Sequence, residues 1–392
     1  MAQLKTLSIR GFKSIEKLEN FELGALNVLI GANGSGKSNF VEFFRLLGAI
    51  RQKRLQLYMK RNAPADGYFH KGIKQTPHIE ADLSFGEYCD YHIRLAPTTL
   101  GNVLIEKEFG NVPIEIEKES GKWHGPSGPG PFSGHEFVGG LESQWWTLGL
   151  APPPMQLFKP GGSIATNRYD PNAPLSPPSW QVYHFHDTSS TAGMRRDVGV
   201  YQSNTLESNG DNLAAFLWHL RNEYVNIYEL LQKMIQRVMP YFLDFSFSKK
   251  EGKNEELVRL TCRQKDTDYI FQPGHLSDGT LRYICLATVL LQPWPPDIIV
   301  LDEPELGLHP EALSVLGGLI RSASARMQII LATQSPVLVN EFEPEQIITV
   351  DAVDGATRFN RLDAASLSDW LNDFTVGELW QKGTIQGGVN HA

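Results

Sequence analysis

The chain has 392 residues, 41% of them hydrophobic, and a formal net charge of −8 at pH 7, so it can bury the core of one large domain with an insertion or of two domains. The negative charge argues against a surface that binds DNA over its whole extent, and the three dispersed cysteines, Cys89, Cys262 and Cys285, match neither a disulfide framework nor a CxxC metal site. Because the sequence shows neither a signal peptide nor an apolar run of membrane-spanning length, we expect a cytoplasmic protein without membrane contact.

A glycine-rich turn follows the first apolar run. Residues 25–30 (ALNVLI) have the length expected for a buried parallel strand, and the glycines after them let backbone N–H groups converge on phosphate oxygens. A helix predicted over 37–50 places its positive end there, Lys37 adds a charge, and the Ser38 hydroxyl can hold magnesium. The predicted ATP-binding residues are Gly31, Ala32, Asn33, Gly34, Ser35, Gly36, Lys37, Ser38 and Asn39.

A basic segment, residues 51–61 (RQKRLQLYMKR), follows this helix. Its cations and Tyr58 are consistent with a path for a nucleic-acid backbone, but a solvated helical face explains them as well, and we favour the second interpretation. Residues 78–118 then alternate apolar and polar positions, which predicts antiparallel strands.

Residues 121–180 hold 11 of the 24 prolines and four of the eight tryptophans, so we interpret them as an irregular insertion. Its tryptophans either dock a partner or pack on their own domain. Residues 182–189 (VYHFHDTS) predict a strand that runs into a polar turn. His184, His186 and Asp187 suggest a metal site there, but alternation places Asp187 on the opposite face from the histidines, which disfavours it.

The segment 211–239 has apolar residues every three or four positions and predicts one amphipathic helix. No heptad pattern extends beyond it, so long coiled-coil arms are not expected. Paired strands are predicted around 245–249 and 257–262.

Two further segments carry chemistry. Ser277, Asp278 and Gly279 precede an apolar helical run, so a hydroxyl and bare N–H groups lie at the positive end of a helix and can bind a second anion. Residues 297–305 (DIIVLDEPE) form an apolar strand that ends in carboxylates. Asp302 is the predicted magnesium ligand and Glu303 the group that accepts a proton from the attacking water.

These motifs resemble those of ABC-type ATPases of the RecF, SMC and OLD groups. Leu276–Gly279 is similar to their signature loop, Leu4–Ser14 to their opening strand, and Asp302–Pro310 to their acidic strand and D-loop. The resemblance covers residues 1–50 and 270–350. It implies an α/β P-loop NTPase fold with a mixed central sheet, an antiparallel β lobe and a compact helical lobe.

The resemblance also implies ATP and Mg²⁺ as cofactors and a homodimer or higher homo-oligomer. Each ATP would lie between the phosphate loop of one subunit and the signature loop of the other, so that Ser277, Asp278 and Gly279 act in trans. The implied D-loop residues are Leu306, Gly307 and His309, and the implied catalytic residues are Glu303, Lys37 and Gln334.

One departure from the family pattern follows the strand predicted at 327–333. Gln334 stands where these families usually carry a histidine, and it can donate an amide hydrogen bond to the terminal phosphate or to water but cannot take a proton. We therefore expect slow turnover. The glutamine that reads magnesium in the family stays open among Gln75, Gln181 and Gln202.

The expected organisation divides the chain into five parts. They are the N-terminal half of the ATPase head with the β lobe (1–120), the insertion (121–180), a strand and the helical lobe (181–265), the C-terminal half of the head (266–355) and a tail (356–392).

The resemblance suggests an ATPase in prokaryotic anti-phage defence beside a nuclease subunit, which would dock on the tail or on the tryptophan-rich insertion. The alternative is a RecF-like repair or recombination mediator that holds DNA without a nuclease. A transporter ATPase is less favoured, because its signature loop usually lies much closer to the phosphate loop.

Overall fold

The computed structural model describes residues 2–62, 64–86, 89–99, 101–113, 132–140, 178–201, 205–251 and 256–385. In chain order its strands are β1 (Thr6–Phe12), β2 (Ile15–Glu22), β3 (Leu26–Ile30), β4 (Ile79–Ser84), β5 (Asp90–Pro97), β6 (Val103–Pro113), β7 (Phe132–Gly140), β8 (Trp180–Tyr183), β9 (Val198–Gly199), β10 (Phe242–Glu251), β11 (Glu256–Gln264), β12 (Ile270–Phe271), β13 (Ile298–Asp302), β14 (Gln328–Thr333), β15 (Ile347–Val353) and β16 (Ala356–Arg361). Its α-helices are α1 (Lys37–Arg51), α2 (Leu55–Asn62), α3 (Leu213–Glu223), α4 (Val225–Val238), α5 (Asp278–Leu291), α6 (Pro310–Ser324), α7 (Pro336–Val339), α8 (Ala364–Leu371) and α9 (Val376–Gln381).

The central sheet is mixed, with the strand order β16-β15-β3-β14-β13-β8. All neighbours in it are parallel except β16, which is antiparallel to β15. Every residue of β3, β13 and β14 is buried, which explains their continuous apolar sequences. Because the strands are parallel, the loops that follow β3, β8, β13 and β14 all leave the same edge of the sheet.

The second sheet is the antiparallel β lobe, in the order β2-β1-β4-β5-β6-β7. The predicted alternation is confirmed in β4, where buried and half-buried residues follow each other strictly. Strand β7 lies within the insertion that we predicted to be irregular and pairs with β6, so this part of it is regular sheet. Of the insertion's four tryptophans, Trp180 begins β8 and is buried in the core, whereas Trp123, Trp145 and Trp146 lie outside the described residues.

The third element is the helical lobe, in which α3 and α4 pack with β10, β11 and β12, while β9 also pairs with β11. Our prediction of one helix over 211–239 was wrong, because two helices meet at Tyr224. Tyr224 has φ −132° and ψ 55°, outside the helical region. Its ring packs edge-on against Trp294 at a centroid distance of 4.9 Å. This aromatic contact holds Tyr224 at the break.

Two hydrophobic cores flank the central sheet. Ile299 and Leu301 of β13 face the core that contains the helical lobe, α5 and α6, whereas Ile298 and Val300 face the core that contains α1 and the β lobe. The sheet therefore joins both lobes, and its carboxyl edge lies between them.

The C-terminal tail packs on α7. Gly377 N donates to Asn340 Oδ1 at 2.7 Å, and Leu379 of α9 is fully buried, whereas Trp370 of α8 is 49% exposed. The tail is thus part of the core at α9 and open to solvent at α8. None of the helices in the described part of the chain has the length and apolar character that a bilayer crossing requires.

Candidate nucleotide-binding site

The glycine-rich turn joins β3 to α1 and leaves the N-terminus of α1 accessible. Gly34 and Gly36 have φ of 80° and 113°, the left-handed region that favours glycine. Gly31 is not among the glycines with positive φ. A β-carbon on Gly31 would lie 2.3 Å from Val350 O, so Gly31 is required for space. Ser38 is exposed in the first turn of α1.

Lys37 lies in the loop itself. Its Nζ donates to Gly31 O at 2.6 Å and to Ala32 O at 2.9 Å, which curls the side chain back over the turn. Burial lowers the pKa of Lys37, although the carboxylates of Asp302, Glu303 and Glu305 act in the opposite direction. The pKa of Lys37 therefore depends on these three carboxylates as well as on burial.

The other predicted loop residues differ in their surroundings. Asn33 is exposed with Gly34, whereas Ser35 is buried. Asn39 Nδ2 donates to Ser14 Oγ at 2.6 Å, so this predicted ATP ligand holds the opening strand's turn against α1.

Asp302 ends β13 and accepts contacts from two directions. Arg45 Nη2 lies 3.0 Å from Asp302 Oδ2, and His184 Nδ1 lies 3.4 Å from the same oxygen. Burial opposes ionisation of this carboxyl, but His184 and Arg45 outweigh it and hold the pKa of Asp302 below its ordinary value. An ionised carboxylate together with the Ser38 hydroxyl supplies the hard oxygen donors that Mg²⁺ prefers. These residues fit the metal.

Glu303 follows Asp302 and turns away from the strand. Its φ of +46° lies in the left-handed region, and its Oε1 accepts a hydrogen bond from Gln334 Nε2 at 2.6 Å. We predicted that this amide donates to phosphate or water, whereas in the structure it donates to Glu303. Gln334 N also donates to Glu305 Oε1. Gln334 therefore orients the predicted base.

The signature segment begins α5. Ser277 is exposed and caps the helix by accepting from Thr280 N at 3.1 Å, as its sequence position predicted. Asp278 accepts from Arg195 Nη2 at 2.8 Å, and the Arg195 side chain is only 8% exposed. Arg195 also donates to the carbonyls of Leu276 and Pro273, so one buried guanidinium fixes the shape of the loop.

The predicted D-loop lies beside the signature loop of the same protomer. A β-carbon on Gly279 would lie 2.1 Å from Gly307 O, so Gly279 is required by close approach, whereas Gly307 has φ +74°, in the left-handed region that favours glycine. Leu306 is exposed. His309 accepts from Glu311 N and caps α6.

The sequence did not single out Arg45 and Arg282, and it suggested His184 as a metal ligand only together with His186 and Asp187, without Asp302. Arg45 lies seven residues, two helical turns, after Ser38 on α1, so helical spacing could have identified it. His184 directly follows β8, the neighbour of β13, but this adjacency depends on strand order. Arg282 of α5 donates to the carbonyls of Phe185 and His186 and to Leu306 O.

The choice of the magnesium-reading glutamine among Gln75, Gln181 and Gln202 stays open. Gln181 lies inside β8 opposite Ile299, and Gln75 lies in the turn before β4. Gln202 lies outside the described residues. Asp187 is exposed and accepts from Ser189 N, and no group of three or more histidine, cysteine or acidic side chains in the described ranges could hold a metal alone.

The basic segment 51–61 resembles a solvated face more than a binding groove. Lys53, Arg54, Lys60 and Arg61 are exposed, while the Tyr58 hydroxyl is bonded to Glu42. The aromatic ring of the segment is therefore turned inward, away from the cations.

Comparison with solved structures agrees with the fold. The head domain of an SMC protein bound to the C-terminal winged-helix domain of ScpA aligns with 93% of this chain and 99% of its own, with a TM-score of 0.58 at 14% identity. The SMC head from Pyrococcus furiosus, also bound to a ScpA domain, aligns with 95% and 99%, with a TM-score of 0.53 at 14% identity. These likenesses confirm the predicted fold class.

Sequence relatives share shorter segments. A "Putative ABC transporter ATP-binding protein" of Streptomyces coelicolor is 36% identical over 100 residues, 25% of this chain and 35% of that protein. The phosphate import ATP-binding protein PstB of Mycobacterium intracellulare is 39% identical over 61 residues, 16% of this chain and 21% of that protein. The chain thus spans about a third or less of the length of these relatives.

The family model described as "AAA domain, putative AbiEii toxin, Type IV TA system" matches residues 26–80 and 191–340, just over half of the chain. Its two matched segments contain the phosphate loop, the signature loop and the acidic strand. The chain belongs to this AAA family.

Proposed function

We propose that two copies of this chain close on ATP, each covering the nucleotide of the other with its signature loop, and separate after hydrolysis. The observation that carries the proposal is the exposed N-terminus of α5, where Ser277 and Gly279 lie beside the D-loop with a hydroxyl and N–H groups at the positive end of a helix. A second helix N-terminus, that of α1, serves the phosphate loop. A triphosphate carries enough charge to be held from both sides.

The chemistry proposed is hydrolysis of ATP to ADP and phosphate. Lys37 binds the terminal phosphates, and Glu303 accepts the proton of the attacking water while Gln334 holds its carboxylate in one orientation. Mg²⁺ would be held by Ser38 and Asp302 and would neutralise charge on the phosphate oxygens. A proton acceptor held by a neutral amide is consistent with slow turnover.

ATP-dependent dimerisation can be tested with Glu303→Gln, which should bind ATP without hydrolysing it. We expect light scattering to give twice the monomer mass with ATP and the monomer mass with ADP. An unchanged mass in a preparation that binds ATP would contradict the proposal. The matched control is Glu311→Gln, which changes an exposed carboxylate in the first turn of α6.

The process that this switch controls is proposed to be anti-phage defence with a nuclease partner. The matched family's description names a toxin of a type IV toxin–antitoxin system, which supports this process over DNA repair. The SMC heads of similar fold are bound to ScpA domains, which supports a head that docks a second protein. Exposed Trp370 of α8 is a candidate for that contact.

A RecF-like mediator remains the second candidate, since the same dimer could hold DNA directly. DNA stimulation of the isolated ATPase would favour the mediator. Activity or assembly that requires a co-encoded nuclease would favour defence. The basic segment can be tested by neutralising Lys53, Arg54, Lys60 and Arg61 together. If DNA binding weakens and loses its salt dependence, this segment is the DNA-binding surface.

A further inference from the structure

His184 lies at the catalytic edge of the central sheet because of strand order. β8 runs parallel to β13 and pairs Tyr183 with Leu301, so the next residue along each segment, His184 and Asp302, reaches the same level. The Nδ1 atom of His184 is 3.4 Å from Asp302 Oδ2. An imidazole nitrogen is thereby brought beside the carboxylate that is the candidate metal ligand.

This nitrogen is buried and, apart from its contact with Asp302 Oδ2, has no hydrogen-bond partner among the described residues, while the whole His184 side chain is 39% exposed. A buried nitrogen without a partner is costly unless it serves another group. A side chain that is partly exposed and lies beside Asp302 can meet a ligand that contacts Asp302.

The orientation of His184 is fixed by its neighbours. The rings of His184 and His186 stack with centroids 3.5 Å apart and an interplanar angle of 33°. Arg282 Nε donates to Phe185 O at 2.9 Å and Arg282 Nη2 donates to His186 O at 3.0 Å, which holds the backbone between the two histidines. A side chain that is held on both sides is preorganised for coordination.

We propose that His184 Nδ1 is a further ligand of the divalent cation that accompanies ATP, which makes this site more accepting of Mn²⁺ than an all-oxygen site. The inference rests on the proposed function, since the cation arrives with the nucleotide. Imidazole nitrogen favours transition-metal ions, whereas hydroxyl and carboxylate oxygens suit Mg²⁺. His184 therefore sets metal preference in addition to the oxygen donors Ser38 and Asp302.

The test uses the full chain with Mn²⁺ and the non-hydrolysable analogue AMP-PNP, read by pulsed electron paramagnetic resonance. We expect nitrogen-14 modulation from a coordinated imidazole in the unaltered protein. The modulation should be lost in His184→Gln, which places an amide at this position, and kept in His186→Phe, which retains a stacked ring without nitrogens. The preference for Mn²⁺ over Mg²⁺ in analogue binding should fall by roughly 10-fold in His184→Gln.

Two outcomes would overturn the inference separately from the proposed function. If Mn²⁺ and AMP-PNP bind but the modulation is absent, or is lost only in His186→Phe, His184 is not the ligand although the nucleotide site stands. If the analogue does not bind at all, the proposed function fails and this inference with it.

Discussion

Glu303 is strained where β13 passes into the D-loop. A residue with a β-carbon at φ +46° costs about 1–3 kcal/mol, and the surrounding contacts must hold it there. Glu303 N donates to Ala332 O at 2.9 Å, and Gln334 Nε2 donates to its carboxylate. Both partners lie on or just after β14, so the neighbouring strand fixes the predicted base.

Loss of the Gln334 amide should slow hydrolysis. A hydrogen bond to a charged group contributes about 1.5–3 kcal/mol, so we expect Gln334→Ala to lower kcat by roughly 10- to 100-fold with little change in ATP affinity. Gln334→His, which can donate an N–H to Glu303, should keep at least the original rate. Steady-state phosphate release measures both variants. Equal rates in Gln334→Ala and the unaltered protein would show that Glu303 does not depend on Gln334.

Glu305 provides a pH-dependent test at the same site. Burial raises the pKa of Glu305, although Gln334 N–H opposes the shift, and Oε2 has no hydrogen-bond partner among the described residues. A raised pKa in the folded state means that ionisation opposes folding as the pH rises above the unfolded-state value. We therefore expect the Tm of Glu305→Gln to rise relative to that of the unaltered protein as the pH increases from 5 to 8. Both values are measured without nucleotide or metal. A pH-independent difference would contradict the shift.

At the scale of elements, the N-terminus of α5 has two separable roles. Ser277 satisfies Thr280 N within the protomer, while its exposed hydroxyl is proposed to meet the partner's nucleotide. Capping needs only a hydrogen-bond acceptor at this position, whereas contact with the nucleotide also needs a side chain that phosphate does not repel.

Two substitutions distinguish these roles. Ser277→Ala should reduce the free energy of unfolding by about 1 kcal/mol, because the cap is lost. Ser277→Asp should retain the cap and the stability but abolish the ATP-dependent increase in mass in a Glu303→Gln background. Denaturant unfolding and light scattering give the two readings. Normal dimerisation of Ser277→Asp would exclude the contact in trans.

At the scale of the whole molecule, the two cores on either side of the central sheet extend to the C-terminal tail. Leu379 of α9 is fully buried in the core of the helical lobe, whereas Trp370 of α8 remains half-exposed. Deletion of the tail would remove the structural helix α9 together with the candidate docking helix α8. Its effects on stability and on docking could then not be separated.

Point substitutions separate stability from docking in the tail. Leu379→Ala should lower the free energy of unfolding by about 2–5 kcal/mol, because it leaves a cavity in the core. Trp370→Ala should change it by no more than about 0.5 kcal/mol, as is usual for surface positions. Urea titration checks both. A large loss of unfolding free energy in Trp370→Ala would show that α8 is structural, and this variant could then not be used to test docking.

The sequence was informative where signals are local. The apolar runs of β3, β13 and β14, the glycines before α1 and the Ser277 cap each depend on a few adjacent residues, and all were predicted. The contacts at Asp302 were not predicted, because Arg45 and His184 reach this carboxylate through helix packing and strand order.

Non-local contacts explain the errors as well. The break at Tyr224 depends on Trp294, 70 residues further along the chain, and helical periodicity alone continues through it. β7 lies among prolines and glycines, where only its pairing with β6 reveals a strand. The role of Gln334 depends on the left-handed turn of Glu303, which no sequence pattern indicated.

The guanidinium of Arg282 binds two loops at once. It donates to Phe185 O and His186 O after β8 and to Leu306 O after β13. Each bond would cost about 0.5–1.5 kcal/mol to break, so we expect the two loops to move together when a ligand binds to either of them. In the proposed dimer, Arg282 would then couple the two loops at each nucleotide site.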